Sequence, residues 1–563
     1  MTEFLFVFGL AIVLGWPLGR YLAAIMRGAP MRGDRLFALM ERPLYRLLGI
    51  DPAQGMSWKT YASAFLLSNL ILGLLVWMLL MSQQWLPLNP NAAPNMRWDL
   101  ALHTAVSFLT NTNQQHYSGQ AQLSYLSQMT AIVGLQVITP MMGLALVVAT
   151  LRGLFGGRQQ TDRSQPADVG NFWADLIRPT IRLFLPLCLL LSVLLTAQGV
   201  PATLDGGPKA TPLDGAAQMS EQKIPLGPVA AMVAAKQLGT NGGGWYGPNS
   251  SVALENPTPV SNLLQTLALI LLPVAIVFMV GDFTGRARLS ALIFGCMLSM
   301  SLMSAGIALW SEGHSASSSD IALMEGKEVR FGADASALWA ALTTQTSNGS
   351  VNSMHDSLAP LTGMVTIANM LVNGIWGGIG CGLQQFLVYL LLSVFLAGLM
   401  TGRTPELLGR KIEAPEVKCL AVLVLLQPLV ILGLSAVSLL FPELTGNSNP
   451  GAHAISQVLY EYTSAFANNG SGFEGLGDAS YWWNLSCVLA LILGRYPALI
   501  LPLIIAAMLA RKRVTPEGPG TLQIETPTFA LTLMAIIAIL TLLQFMPVLV
   551  LGPVADHLQF ITR

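Results

Sequence analysis

Long apolar runs alternate with short polar connections along almost the whole chain. Ten runs approach the length of a membrane span, at about residues 4 to 24, 60 to 82, 127 to 151, 183 to 199, 260 to 281, 289 to 310, 361 to 401, 419 to 441, 485 to 510 and 529 to 551. Some 20 residues at about 1.5 Å each cross a hydrocarbon layer of roughly 30 Å, so the pattern predicts ten transmembrane helices. The seventh run is twice the needed length. Four further helical runs are too short to span: Leu100 to Leu109, Val229 to Leu238, Ala335 to Gln345 and His453 to Phe466. Such lengths are typical of segments that enter a bilayer and stop.

Each short run ends in small polar residues: Asn111-Thr112-Asn113-Gln114, Gly239-Thr240-Asn241-Gly242, Thr346-Ser347-Asn348-Gly349 and Ala467-Asn468-Asn469-Gly470. One such cluster reads as a turn. Four, recurring every 107 to 128 residues between matched apolar runs, read as four copies of one unit around an axis. On this reading residues 1 to 59 are an N-terminal helix and cytoplasmic loop. Residues 60 to 158, 159 to 286, 287 to 410 and 411 to 513 are repeats one to four, and 514 to 563 a final helix and tail. The fold class is all-α, polytopic and pseudo-fourfold. Non-helical backbone at membrane depth must be enclosed or line a watery cavity, so four tips at one axis would form a ring of carbonyls. Gly after Asn in copies two to four supplies positive φ, and Gln114 makes copy one the divergent member.

Composition supports a membrane protein: 53% hydrophobic, 10% charged and a mean hydropathy of +0.58. The basic residues segregate by connection. Arg27, Arg32, Arg35, Arg42, Arg46, Lys59, Arg152, Arg158, Arg163, Arg178, Arg182, Arg286, Arg288, Arg403, Arg410, Lys411, Lys418, Arg511, Lys512 and Arg513 fall on one side; Arg97, Lys209, Lys223, Lys236, Lys327, Arg330 and Arg563 fall on the other. The positive-inside rule makes the first side cytoplasmic, with both termini and all four clusters extracytoplasmic. This segregation is not a nucleic-acid patch, so no nucleic-acid partner is expected. Five scattered cysteines lack CxxC spacing and suggest no metal site. A GxxxxGK[ST] loop is absent, as are DDxxD and HExxH arrangements, which disfavours a membrane enzyme. The clusters themselves carry no charge; Lys236 lies just before the second. Neutral oxygens suit a large, dehydrated monovalent cation, potassium before sodium.

Five stretches, LALHTAVSFLTNTNQQHYSG (100 to 119), LGTNGGGWYGPNSS with ENPTPVSN (238 to 262), NGSVNSMHDS (348 to 357), YTSAFANNGSGFEGL (462 to 476) and LGPVADHL (551 to 558), resemble the KdpA family of potassium-binding subunits, within the superfamily of potassium transporters. The resemblance runs from the first helix to the last loop. It implies a bacterial inner-membrane subunit without ATP hydrolysis of its own and without a cofactor, potassium being cargo. It also implies a filter fed from outside and an intramembrane tunnel to the P-type ATPase subunit KdpB, with KdpC and a small KdpF-like helix completing the complex in the lipid bilayer. By position it assigns the filter to Asn111, Thr112, Asn113 and Gln115; Thr240, Asn241 and Gly242; Asn348 and Gly349; and Asn468, Asn469 and Gly470. Gln114 stands where the family usually has Trp, and Trp245-Tyr246-Gly247-Pro248 where Phe-Phe-Asn-Ala is usual. Asn373 takes the place of a frequent carboxylate. The four-loop architecture alone equally fits an autonomous potassium channel or symporter of the superfamily.

Two features lie off the clusters. Arg495, 16 residues before Arg511, sits about 24 Å along its helix; an Arg so deep serves function by default, or snorkels or caps a loop carbonyl. In the seventh run Gly374, Gly377, Gly378, Gly380 and Gly382 fall within nine residues. They predict either a helix break forming a gate or tunnel mouth or close helix packing. His116, His355 and Asp356 read as loop caps, and Trp245-Tyr246 and Trp482-Trp483 as interfacial anchors.

Overall fold

The computed structural model describes residues 2 to 156, 167 to 213, 219 to 314, 324 to 516, 518 and 521 to 561. Arg158, Arg163 and Arg563, used above to orient the chain, lie outside them. Among the described residues the protein is helical, apart from two short antiparallel pairings, Lys209–Ala210 with Gln222–Lys223 and Glu406–Leu407 with Arg410–Lys411. Among the described residues nine apolar helices are long enough to cross a membrane, and a tenth is bent by 48°.

One motif occurs four times: a spanning helix, a short helix that stops part-way, a loop, and a returning helix. The short helices are Trp98–Leu109, Val229–Leu238, Gly332–Gln345 and Gly451–Phe466. They begin within three residues of the expected positions and are almost wholly buried. Spanning helices start where the sequence supplies caps. Ser57 accepts from the Thr60 amide, Thr258 and Ser261 form a capping box ahead of Pro259, and Thr526 caps a helix beginning at Pro527. The Trp58–Ser82 helix exposes Leu66, Leu67, Leu70, Ile71, Leu74 and Leu75, which suits lipid. By contrast, Pro259–Thr284 is mostly enclosed. Helix Thr2–Arg27 packs on it at Gly15 and Gly19; a methyl group on Gly19 would strike the Ala275 carbonyl and Phe278, the close approach that small residues permit.

The seventh run is two helices, Pro360–Val372 and Cys381–Met400, of which only the second is long enough to span. The first ends with Asn373 at φ 45°, a left-handed cap. Gly377 and Gly380 follow at φ 62° and 78°, and the Gly377 and Gly382 α-carbons are in contact. The break is therefore real, and its glycines serve a crossing of the chain on itself. The connection before residue 59 also holds an unforeseen helix, Asp34–Leu48, whose Glu41 accepts from Arg182 at 2.5 and 3.0 Å.

Candidate functional site: four loops around one axis

Every short helix ends in the same way. The amides of Thr112, Asn241, Asn348 and Asn469 reach back five residues to the carbonyls of Ser107, Lys236, Thr343 and Ser464, at 2.9 to 3.0 Å. This is the closing bond of a Schellman cap, which needs a left-handed residue just before its donor. Those residues are Asn111, Thr240, Ser347 and Asn468, with φ of 61°, 49°, 49° and 53°. A second left-handed residue follows two positions on: Asn113, Gly242, Gly349 and Gly470, at 58°, 85°, 87° and 101°.

The repeated conformation corrects the alignment of copy one. Asn113, and not Gln114, occupies the glycine position; the sequence was read one residue out of register because Asn, which tolerates positive φ, stands for Gly there. Ser347, part of the third cluster but outside the residues that the resemblance assigns, belongs to the left-handed set by its φ of 49°.

The loops form a closed circuit. A methyl group on Gly242 would strike the carbonyl oxygen of Asn348, one on Gly349 that of Asn469, and one on Gly470 that of Thr112. Where Asn113 replaces glycine, its neighbour Gly243 gives way: a β-carbon there would lie 2.8 Å from the Asn113 β-carbon. Side-chain amides link the same neighbours. Asn348 donates to the Lys236 carbonyl at 3.1 Å, Asn469 to Thr343 at 2.9 Å, Asn468 to the Thr112 hydroxyl at 3.0 Å and Asn111 to the Thr240 carbonyl at 2.9 Å. Gln115 exchanges two bonds with the Gly244 backbone, at 3.0 and 2.8 Å, so its amide clasps loop one to loop two.

Lys236 leaves the second cluster neutral because it is buried in an ion pair with Glu255, with Ser250 at 2.8 Å. The other Glu255 oxygen accepts from the amides of Trp245 and Tyr246 at 2.7 and 3.1 Å. Trp245, Tyr246 and Trp483 are therefore core residues and not interfacial anchors. All three are buried, and the polar tips of two are satisfied inside, Tyr246 by the Pro225 carbonyl at 2.6 Å and Trp483 by the Thr445 carbonyl at 3.1 Å.

A vestibule opens on one side of the ring, lined by Asn113, Gln115, Gly349 and Gly470 and by three carboxylates, Glu461, Glu474 and Asp478. The sequence reading missed these acids, which lie outside the clusters and converge only through folding. Glu474 is exposed to the vestibule. Partial desolvation by the surrounding loops, with Asp478 and Glu461 nearby, pushes its carboxyl up to about 7, and His116 opposes the shift. Asp356 is more than a loop cap: it accepts from His453 at 2.7 Å, and His453 also reaches Asp556 at 2.8 Å.

On the other side of the ring a small cavity brings together Asn111, Ser347, Asn468, Asn373, Gly378, Cys381 and Arg495. The glycine break lies directly against the four loops. The Ile379 amide donates to the Thr240 hydroxyl at 3.0 Å, the Gly377 amide to the Gln345 carbonyl at 2.7 Å, and Ser347 to Asn373 at 2.7 Å. Gly374 stands at the edge of the break, against Tyr389. Arg495, midway along Tyr481–Ala510 and 4% exposed, donates to the Cys381 sulfur at 2.6 Å. It is too enclosed to snorkel, and no carboxylate pairs with it among the described residues.

Residues 5 to 558 match the family described as KdpA, potassium-transporting ATPase A subunit. Proteins described as potassium-transporting ATPase potassium-binding subunits are similar over nearly the whole length. That of Pseudomonas aeruginosa is 45% identical over 98% of this chain and 97% of its own, and that of Gloeobacter violaceus 44% over 96% and 94%. That of Bacteroides fragilis is 42% identical over 98% of each. In fold, the chain is similar to the potassium transporter TrkH of Vibrio parahaemolyticus, with a TM-score of 0.50, 15% identity and coverage of 87% of this chain and 97% of that one.

Proposed function

The chain belongs to the KdpA family of potassium-transporting ATPase A subunits, and on that premise we propose that its four-loop ring is a potassium filter feeding an ATP-driven pump. The observation that carries this reading is the closed ring itself. Four identically capped helices deliver neutral backbone and amide oxygens to one axis, and each loop is braced by the next. Neutral oxygens replace the water shell of a monovalent cation at low cost, whereas a divalent ion would demand charge. Helix C-terminal ends add a partial negative potential.

The acidic vestibule faces outside, both termini are extracytoplasmic, and the membrane is the bacterial inner membrane. Glu461, Glu474 and Asp478 concentrate cations before the filter. Beyond it, the fixed charge of Arg495 opposes straight passage to the cytoplasm. The ion turns instead along the glycine break, Gly374 to Gly380, toward KdpB, which hydrolyses ATP; KdpC and a small KdpF-like helix complete the assembly. A cation without a carboxylate partner among the described residues, set in a cavity against the loops, supports this turn.

The test is potassium- against sodium-stimulated ATPase activity of the purified complex, with Gly242→Ala beside wild type. Unchanged selectivity and affinity in the variant would overturn the filter assignment. Potassium uptake by this chain alone, in bacteria deficient in uptake, would replace the pump reading with an autonomous channel or symporter.

A further inference from the structure

Behind the first loop lies a cluster that shares only Glu461 with the vestibule. His103 on the first short helix, His116 just past the loop and Cys487 on Tyr481–Ala510 each offer one ligand atom, all within 4.8 Å of one another. All three side chains are buried. Glu461 reaches the same place, with Oε1 3.4 Å from His116 Nε2, and it also accepts from Gln114.

Hydrogen bonding determines which ring nitrogens are free. His116 Nδ1 meets Asn484 Oδ1 at 2.8 Å, and Asn484 in turn donates to Asp99 at 2.8 Å. That arrangement holds a proton on Nδ1, while Nε2 donates to Glu461 Oε1 in the empty site and becomes a ligand atom when a cation displaces its proton. An outer relay of this kind commonly orients a metal-bound histidine. His103 Nε2 lies 3.3 Å from Gln114 Oε1 and can only donate there, which leaves Nδ1 as a lone pair. Among the described residues His103 Nδ1 is buried without a hydrogen-bond partner, a costly state that a ligand would relieve.

We propose that His103, His116, Cys487 and Glu461 bind a zinc-class divalent cation beside the filter mouth. Two neutral imidazoles, a thiolate and a carboxylate form a borderline-soft, four-donor set whose charge of minus two cancels that of the ion. At bond lengths of about 2.0–2.3 Å, tetrahedral donors sit roughly 3.3–3.7 Å apart, so the cluster contracts by about 1 Å on loading. The two rings now stack at 3.7 Å and 10°; parallel rings cannot aim in-plane lone pairs at one ion, so loading also unstacks them. The Cys487 thiol and the His116 Nε2–H each lose a proton to solvent as the metal–sulfur and metal–nitrogen bonds form, which leaves the set with its charge of minus two. Gln114 and Glu461 line the vestibule, which gives the ion a way in. Loading draws Glu461 away from Gln114, whose carbonyl accepts from Ser107 at 2.9 Å, and so loosens the first loop. This last consequence alone rests on the filter reading.

The experiment loads the purified full-length chain with Co2+, removes the excess and records stoichiometry and absorption. The expected result is one retained Co2+ per chain with a tetrahedral spectrum and a thiolate-to-cobalt charge-transfer band, displaced by one equivalent of Zn2+. Cys487→Ala should lose the band, and His103→Asn should bind at least tenfold more weakly. No retained Co2+, or Co2+ without the thiolate band in wild type, overturns the site, as does a band that persists in Cys487→Ala. The wild-type band decides the matter if a variant fails to fold. A cobalt band without any effect of Zn2+ on potassium-stimulated ATPase activity of the complex leaves the site standing and overturns only its coupling to the filter.

Discussion

The carbonyl oxygen of Asn469 lies against the α-carbon of Gly349 so closely that a methyl group has no room there. Gly242 with Asn348 and Gly470 with Thr112 repeat the relationship. The ring is thus held backbone to backbone, and its oxygens are positioned by the neighbouring loop as much as by their own.

Gly349→Ala would therefore combine a collision with a left-handed backbone at φ 87°. The conformation alone costs an L-residue about 1–2 kcal/mol, equivalent to roughly tenfold in affinity. Potassium titration of ATPase activity in the complex should show at least that loss, with sodium becoming an activator. A wild-type curve would refute the packing argument.

Removing the charge below the ring tests the turn in the route. Arg495→Met should lower coupled uptake or let potassium leak, and proteoliposomes carrying the whole complex report both. Full uptake with an intact gradient would mean that Arg495 only packs against Cys381.

Glu474 gives the vestibule a pH response. With its carboxyl near 7, it is ionised above that pH and attracts cations, and it is neutral below and does not. Apparent potassium affinity should strengthen as pH rises from about 6 to about 8, the range in which such a group titrates. Glu474→Gln should flatten that part of the profile while leaving potassium dependence otherwise present.

Lys236→Met strands the buried Glu255 charge, a change that typically costs about 3–5 kcal/mol. Melting of the purified protein should fall markedly. The double change with Glu255→Gln should recover part of the loss, because Gln still accepts from the Trp245 and Tyr246 amides. Equal melting of the single and double variants would show that the pair is not the element bracing loop two.

The spans, the four short helices and the helix break were legible because hydrophobic length and glycine density are local properties. Three of the four glycine positions were legible for the same reason. Asn113 was misplaced by one residue, since its equivalence rests on a torsion angle and a compensating Gly243 in the next loop. Glu461, Glu474 and Asp478 escaped notice because carboxylates from a helix and a later loop become one vestibule only in three dimensions. Trp245-Tyr246 and Trp483 differ for the opposite reason: an aromatic beside a span resembles a lipid anchor until its burial, or a polar tip bonded inside as in Tyr246 and Trp483, shows it to be core. His103 and Cys487 are hundreds of residues apart, and no spacing rule joins them.

Asn113 and Gly243 have one more consequence. In a channel assembled from four identical chains, any change in the filter appears four times at once and must suit every quarter together. Here each quarter is written separately, so a side chain can be gained in one loop and room made for it in the next while the remaining two stay as they were. The ring can be revised one seam at a time.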